Sequence, residues 1–588
     1  MLFGILPLAA CLGRFHAGST PAPATTESGI SFACDPTASA LTAAPVKRMA
    51  KVYVENSIRE FVSGFSATSQ TTLLSVIQSR FDLIPDDQIP STAGGAYYSV
   101  DDATLAQEHV DNIVYLGLSL ATSITGNPTY VSDMLNVCGP GLDKTALLGD
   151  ACLTSFVQYY GRKAFRRPLA DAETTDFKSF FTQVNSAGLD GFTALIARFI
   201  SHPYFYYRID EDGTLLSGTE GTDAIYQLTK WELLSKITFL FWQAPPTDAL
   251  YDLVESLDIT TDENLSTILD SILADPKAQQ GILGFYSEWL KLEQTLIPGS
   301  TGNIMAIATQ VADDGLDAVP PTQKDDMNQE ILDLVNHYSL ATDGRFEDIL
   351  VSPYSFAKTP ALAKIYGVDA WDGTAGNLVS FPVGERSGLL TRAAFVASNT
   401  EYTRPVIKGK LIRTQILCED IPPPPPGVNI KPLVHMPGET TREATSEVTA
   451  DTTCTTCHQP MDALGFATEN YDPLGRIRQI ELDFTDGQGM PSGQAQIDTS
   501  VTPMLTDGDM SSAKDGVELS QKIADSGLAH LCLVRNYFRY VNGRQEDDSA
   551  DGCDLESMRK KLMNAGGSVK QMLKQTILQS SFRQKKVG

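Results

Sequence analysis

The chain has 588 residues, enough for about four domains or one multi-lobed body, and carries 45 Lys and Arg against 72 Asp and Glu. Its net charge of −27 repels phosphate backbones, so nucleic acid is excluded as a general partner. Hydrophobic residues at 42% and charged residues at 20% suit ordinary cores, and no apolar run approaches the roughly 18 residues that a membrane-spanning helix needs.

In chain order, Met1 to Ala10 is apolar, and Leu8-Ala9-Ala10-Cys11 has the form of a bacterial lipobox. This predicts a lipid anchor on Cys11 and a place in the periplasm, at the outer membrane or on the cell surface, with membrane contact through that anchor. The run is short and has no Lys or Arg ahead of it, so an apolar terminus with an incidental cysteine is the competing reading. Gly18 to Ser28 reads as a flexible tether.

Helical periodicity then dominates. Val46–Val62, a stretch capped by Ser99 and Asp102 that runs towards Thr122, Thr154–Phe165, Asp171–Val184 and Phe192–Phe205 all space apolar residues three and four apart. Leu228–Phe241, Asn264–Leu273, Gln279–Leu292 and Asp325–His337 continue the pattern. Strand-like runs occur only near Asn377–Pro382 and Ile477–Phe484. Five consecutive prolines in Ile421–Val428 form a stiff spacer or, alternatively, a docking ligand, and Gly438–Asp451 reads as a polar loop. Helix resumes at Val517–Ala524, Leu528–Tyr540 and Val569–Leu578.

The nine cysteines include one chemically specific pair. Cys454-Thr455-Thr456-Cys457-His458 is C-x-x-C-H, the spacing of covalent haem c attachment. One helical turn presents both thiols to the porphyrin edge and swings His458 beneath the iron as proximal ligand. Chance should produce this pattern about once in a thousand chains of this length. Zinc needs a second ligand pair, which no nearby cysteines provide, although Cys418 and His435 are recruitable. A redox CxxC wants a strand-to-helix junction in an α/β setting, and a plain disulfide across the motif would be strained. Distal candidates are Met504, which lies 46 residues beyond His458, together with Met490, His435 and Met436; an open sixth position is the alternative. Met461 is too close in sequence to reach the opposite face and is expected to pack against Phe466 or the haem. With Cys11 and the motif set aside, six cysteines remain. Proximity suggests Cys138 with Cys152 and Cys532 with Cys553, leaving Cys34 with Cys418, although sequence cannot fix connectivity.

Around the motif, Thr452–Gln479 resembles a family of large secreted proteins, best known from planctomycetes and myxobacteria, built from serial domains of unknown function with cytochrome-like haem motifs. Gly161–Leu169, Leu228–Leu250, Ser387–Thr400, Arg404–Val428 and Asn536–Arg544 carry the same resemblance in order, and together the blocks span about Ala44 to Phe582. The resemblance implies an exported cytochrome-like protein whose reaction is uncharacterised. Many relatives carry a further N-terminal cytochrome domain, whereas this chain has a single CxxCH, which argues against a di-haem peroxidase.

The expected architecture is mainly α, a multi-lobed helical array with a C-terminal cytochrome c-like haem-binding region. Expected boundaries are leader and tether at 1–30, helical domains at 31–135, 136–212 and 213–375, a helical segment ending in the proline spacer at 376–428, the haem-binding region at 429–514 and a helical domain at 515–588. Thr452–Gln479 would form the proximal wall and the preceding helical domains the distal one. The basic run Arg162–Arg167 is expected to pair internally with carboxylates, and His109, His202, His337 and His530 to be packed or solvated. The expected function is electron transfer with a basic redox partner. A haem enzyme with an open iron site, acting on peroxide or an organic substrate, and a surface-binding protein with a structural haem are the alternatives.

Overall fold

Amphipathic spacing turns into helix along most of this chain. The computed structural model describes residues 24–587 apart from 27–28, 38–40, 42–46, 90–97, 103, 211–212, 220–221, 293–321, 399, 401, 423–432 and 484–492. Cys11, most of the tether, most of the proline run and Met490 lie outside the described residues, and Ala24–Thr26 of the expected tether instead forms a strand paired with Gly29–Ser31. Helix outweighs strand by 58% to 7%, so the architecture is mainly α. No helix among the described residues is long and apolar enough to cross a membrane.

The chain divides into two compact units, each drawn from distant segments. One comprises Ser39–Ile282, Phe538–Glu546 and Thr576–Gly588; the other Met1–Ala38, Leu283–Tyr537 and Asp547–Gln575. In the first, Lys51–Phe61, Gln107–Thr125, Asp150–Phe165, Asp171–Ser186 and Gly191–Ser201 bury Ile58, Leu120, Phe156, Phe177 and Phe199 in a shared core. Two expectations need correction here. The helix expected through Phe205 stops at Ser201, because Pro203 forces His202 into extended backbone (φ −70, ψ 140) before a new short turn Pro203–Tyr206. Asp102 does not cap a helix: it accepts from the Gln88 and Thr104 amides and pairs with Arg48, and the next helix begins at Gln107.

Sequence reading also missed a three-stranded antiparallel sheet, Thr214–Thr219, Thr222–Gln227 and Gln584–Val587. Its third strand comes from the chain terminus, and Thr214–Thr219 is exposed throughout, so neither strand alternates apolar and polar residues clearly.

In the second unit, Gln323–Asn336, Phe346–Val351, Pro360–Tyr366, Ala393–Val396 and Pro405–Leu411 precede the motif, and Gly516–Ser526, Gly552–Met563 and Val569–Ile577 follow it. A fully buried ion pair, Arg392 with Glu330, ties the first of these helices to the fourth. Gly438–Asp451 is not a loop. Thr440 and Glu443 form a reciprocal capping box that starts the helix Thr441–Val448, and Thr441 docks on the buried Glu481 carboxylate through its amide and hydroxyl (2.9 and 2.5 Å).

The disulfides are Cys138–Cys152, Cys34–Cys553 and Cys418–Cys532. The first matches expectation; the proposed Cys532–Cys553 and Cys34–Cys418 pairings do not. Residues 32–34 run tightly against the start of helix Gly552–Met563, with the Phe32 amide bonded to Glu556 (3.1 Å), which delivers Cys34 to Cys553. Cys532 sits inside the helix Leu528–Asn542 and meets the chain leaving the Ile412–Ile416 turn.

Candidate functional site

The C-x-x-C-H motif opens the helix Thr452–Phe466, whose N-cap Asp451 accepts from the Thr453 amide (2.9 Å). Pro460 lies inside this helix, where it removes one hydrogen bond and favours a kink. The buried Arg413 guanidinium donates to the Pro460 carbonyl (3.2 and 3.0 Å). The same side chain donates to the carbonyls of Pro503 (2.5 Å) and Met504 (3.0 Å) and pairs with Glu419 (3.0 Å). Burial pulls the Arg413 pKa down while Glu419 opposes the shift. Arg413 thereby ties the motif helix to the segment that bears Met504. Met504 itself adopts left-handed backbone (φ 50), costly for a side chain of this kind and sustained by the bond to its carbonyl.

The helix Pro405–Leu411 crosses the motif helix through two glycines. A Cβ on Gly409 would lie 1.9 Å from the Met461 carbonyl oxygen, and one on Gly465 would lie 2.0 Å from that of Pro405. Only hydrogen in place of Cβ permits so close a crossing.

Among the described cysteines only Cys454 and Cys457 are unpaired, both half-buried and one turn apart. His458 is next to them. Its Nδ1 lies 3.1 Å from each oxygen of the Asp462 carboxylate, one turn on, with side-chain exposures of 29% and 5%. This bond raises the His458 pKa against the opposing effect of burial. It also engages Nδ1 and leaves Nε2 as the nitrogen open to a metal.

His458 and Asp462 border a cleft of about 290 Å³ whose lining also includes Arg442, Phe466, Val501 and Met504. The cleft thus brings together His458 and Met504, while Cys454 and Cys457 occupy the adjoining strip of the helix rather than its wall. The far walls come from residues 442–450 and 501–504, which follow the proline spacer, not from the preceding helical domains as expected. Met461 is buried; His435 stacks face to face on Tyr402 at 3.6 Å, Met436 is exposed, and none of the three lines the cleft. Arg442 donates to the Asp498 and Ser500 carbonyls (2.8 and 3.0 Å) and covers the Phe466 ring at 5.2 Å.

Sequence reasoning missed Asp462, Arg413 and Arg442. Only Asp462 left a local signal, its one-turn spacing from His458. No group of three or more His, Cys, Asp and Glu side chains gathers as a metal site among the described residues; His458 follows the two unpaired thiols in the chain and carries the Asp462 carboxylate on its Nδ1. That arrangement fits a covalently attached haem c better than a four-ligand zinc site.

The other candidates are accounted for structurally. Arg162 pairs with Asp248 and Asp252, Lys163 with Glu60 and Asp248, and Arg167 with Glu173, as expected of the basic run, whereas the buried Arg166 donates to the Phe205 and Tyr207 carbonyls instead of a carboxylate. His109 accepts from the Ala106 amide and His202 from that of Tyr204, His337 is buried against Phe356, and His530 lies 3.3 Å from Glu347.

Three protein-family profiles match the chain in series. Residues 152–210 match PSD5, a protein of unknown function (DUF1595), 228–368 match PSD4 (DUF1592), and 386–481 match PSCyt3 (DUF1588), the last spanning the motif helix. The chain therefore carries three serial domains of unknown function. No curated protein and no solved structure matches it.

Proposed function

We propose that this array of serial domains carries one covalent haem c on Cys454 and Cys457, with His458 as proximal ligand and Met504 as distal ligand. On this reading it works in electron transfer outside the cytoplasm, as a carrier or as the redox lobe of a larger oxidoreductase system. The observation that carries the proposal is the pairing state of the thiols. Six described cysteines are joined in disulfides, which suits an oxidising compartment outside the cytoplasm, while the two thiols of the motif stay unpaired beside a histidine whose Nδ1 is already engaged. The cytochrome label in the name PSCyt3 supports the same assignment. When bound, haem c supplies a one-electron iron couple.

The chain's own residues set the conditions for that couple. Asp462 holds the His458 ring and its tautomer, which strengthens Nε2 as a donor. Arg413 fixes the Met504 backbone on the cleft, and Phe466 and Val501 keep part of its wall apolar. The net charge of −27 steers a basic redox partner towards the protein. Cys11 would supply a lipid anchor in the periplasm, at the outer membrane or on the cell surface.

One observation favours a second reading, a haem enzyme with an open sixth position. A carboxylate on the proximal imidazole makes it a stronger donor, which suits chemistry on peroxide as well as electron transfer.

The test is a pyridine haemochrome spectrum with intact mass, on protein made with the c-type maturation machinery. One haem per chain, lost in Cys457→Ala, supports the proposal; colourless protein at apo mass refutes it. A low-spin spectrum that turns high-spin in Met504→Ala assigns the distal ligand. A high-spin wild type that responds to cyanide and peroxide selects the enzyme reading.

A further inference from the structure

In so acidic a chain, two of the cations that meet at one small cavity, Lys236 and Arg208, have no carboxylate at ion-pair distance among the described residues. The two-stranded pair Lys47–Arg48 and Tyr207–Arg208 sets Lys47 directly opposite Arg208. Like charges facing each other across an antiparallel pair are destabilising. The helix Lys230–Trp242 adds a third cation, Lys236, to the same small cavity of about 40 Å³. Arg48 also lines the cavity but is committed to Asp87 (2.8 Å) and Asp102 (3.4 Å).

Lys236 and Arg208 are different. Lys236 donates to the Phe582 carbonyl (2.7 Å) and lies 4.1 Å from that ring, with ammonium hydrogens to spare. Among the described residues, neither Lys236 nor Arg208 has a carboxylate at ion-pair distance, and the Arg208 guanidinium makes no hydrogen bond. Arg162, Lys163 and Arg167 of the same unit each have a carboxylate partner, and the buried Arg166 is satisfied by the Phe205 and Tyr207 carbonyls, whereas Arg208 has neither. Burial, reinforced by Arg208 and Lys47 and opposed by Asp210, pulls the Lys236 ammonium down to about 7.

We propose that this cavity binds a small tetrahedral oxyanion, of the phosphate or sulfate class, held by Lys236 and Arg208 with Lys47 as the third cation. Its volume accepts a few waters or one such ion and leaves no room for the base and sugar of a nucleotide. The ion would supply hydrogen-bond acceptors for the Arg208 fork and the spare Lys236 donors, and would relieve the Lys47–Arg208 repulsion. This site is independent of the haem assignment.

The test titrates the full-length protein with inorganic phosphate and with sulfate at constant ionic strength set by chloride. Calorimetry and the ligand-induced shift in unfolding temperature are read together. Saturable binding of either ion is expected, weakened about ten-fold or more in Lys236→Met and in Arg208→Gln and less in Arg208→Lys, which keeps the charge and loses the fork. A preference between the two ions names the occupant. Because each variant is compared with itself with and without the anion, altered baseline stability does not blur the result, and Lys47→Met substitutes for a variant that fails to fold. The proposal is overturned if neither ion binds at millimolar concentration, or if binding is unchanged in the substituted proteins.

Discussion

Replacing Arg392 by methionine probes the interior beneath the site. Arg392 and Glu330 are both fully buried, at 0% side-chain exposure, and face each other as an ion pair. Glu330 also accepts from the Tyr366 hydroxyl (2.5 Å) and the Phe356 amide (3.3 Å), and Arg392 donates to the Tyr354 carbonyl (2.6 Å). Methionine fills much of the space but leaves a buried carboxylate with two neutral donors. Breaking such a pair from one side costs about 3–5 kcal/mol. The orphaned Tyr354 carbonyl adds about 1 kcal/mol, so a loss near 4–5 kcal/mol is expected. Combining Arg392→Met with Glu330→Gln removes the lone charge and should recover about 2–3 kcal/mol of that loss. Urea unfolding followed by tryptophan fluorescence reads this region, because Trp371 stacks edge-on against Phe356 (5.1 Å), which in turn lies under the Arg392 guanidinium (5.5 Å). A single variant within about 1 kcal/mol of wild type would refute the reasoning, as would a double variant no better than the sum of the singles. The consequence extends to the site: the segment around Arg392 donates from Ser398 to the Pro473 carbonyl (2.8 Å) and from Arg386 to that of Gly475, in the loop after the motif helix.

Gly409→Ala should destabilise the same unit by about 1–3 kcal/mol or more, since its Cβ would strike the Met461 backbone. Gly376→Ala, which meets nothing within 4 Å, is the matched control in thermal melts. Removing the Cys418–Cys532 bridge, which spans 114 residues, should cost about 4–5 kcal/mol in reversible denaturation, provided its chain-entropy effect dominates. Glu347 tests the acid limb of stability. Burial raises its pKa, but contacts from His530 (3.3 Å) and Arg345 (2.6 Å) outweigh that and hold it at about 2. Its contribution is therefore complete above the ordinary carboxylate range near pH 4.5 and fades as pH falls towards 2. Glu347→Gln should flatten the pH dependence of the melting temperature in that window, and an unchanged slope would contradict the assignment.

Local spacing alone was enough for the helices, since an amphipathic stripe is complete within one segment, as at Asp171–Ser186 and Gln323–Asn336. It was also enough for the haem hypothesis, because two thiols and an imidazole within five residues form a chemical unit before any folding. The capping box at Thr440 and Glu443 was legible too and was passed over in favour of the segment's polarity. What no local pattern carried was partnership between distant segments. Cys532 pairs with Cys418 rather than with the nearer Cys553, Gln584–Val587 completes a sheet begun at Thr214, and Arg413 joins Pro460 to Met504. Each of these depends on which surfaces meet once apolar faces are buried, and burial is satisfied by the whole chain at once. The motif carries the haem proposal; tertiary packing decides that His458 shares its cleft with Met504 and Arg442.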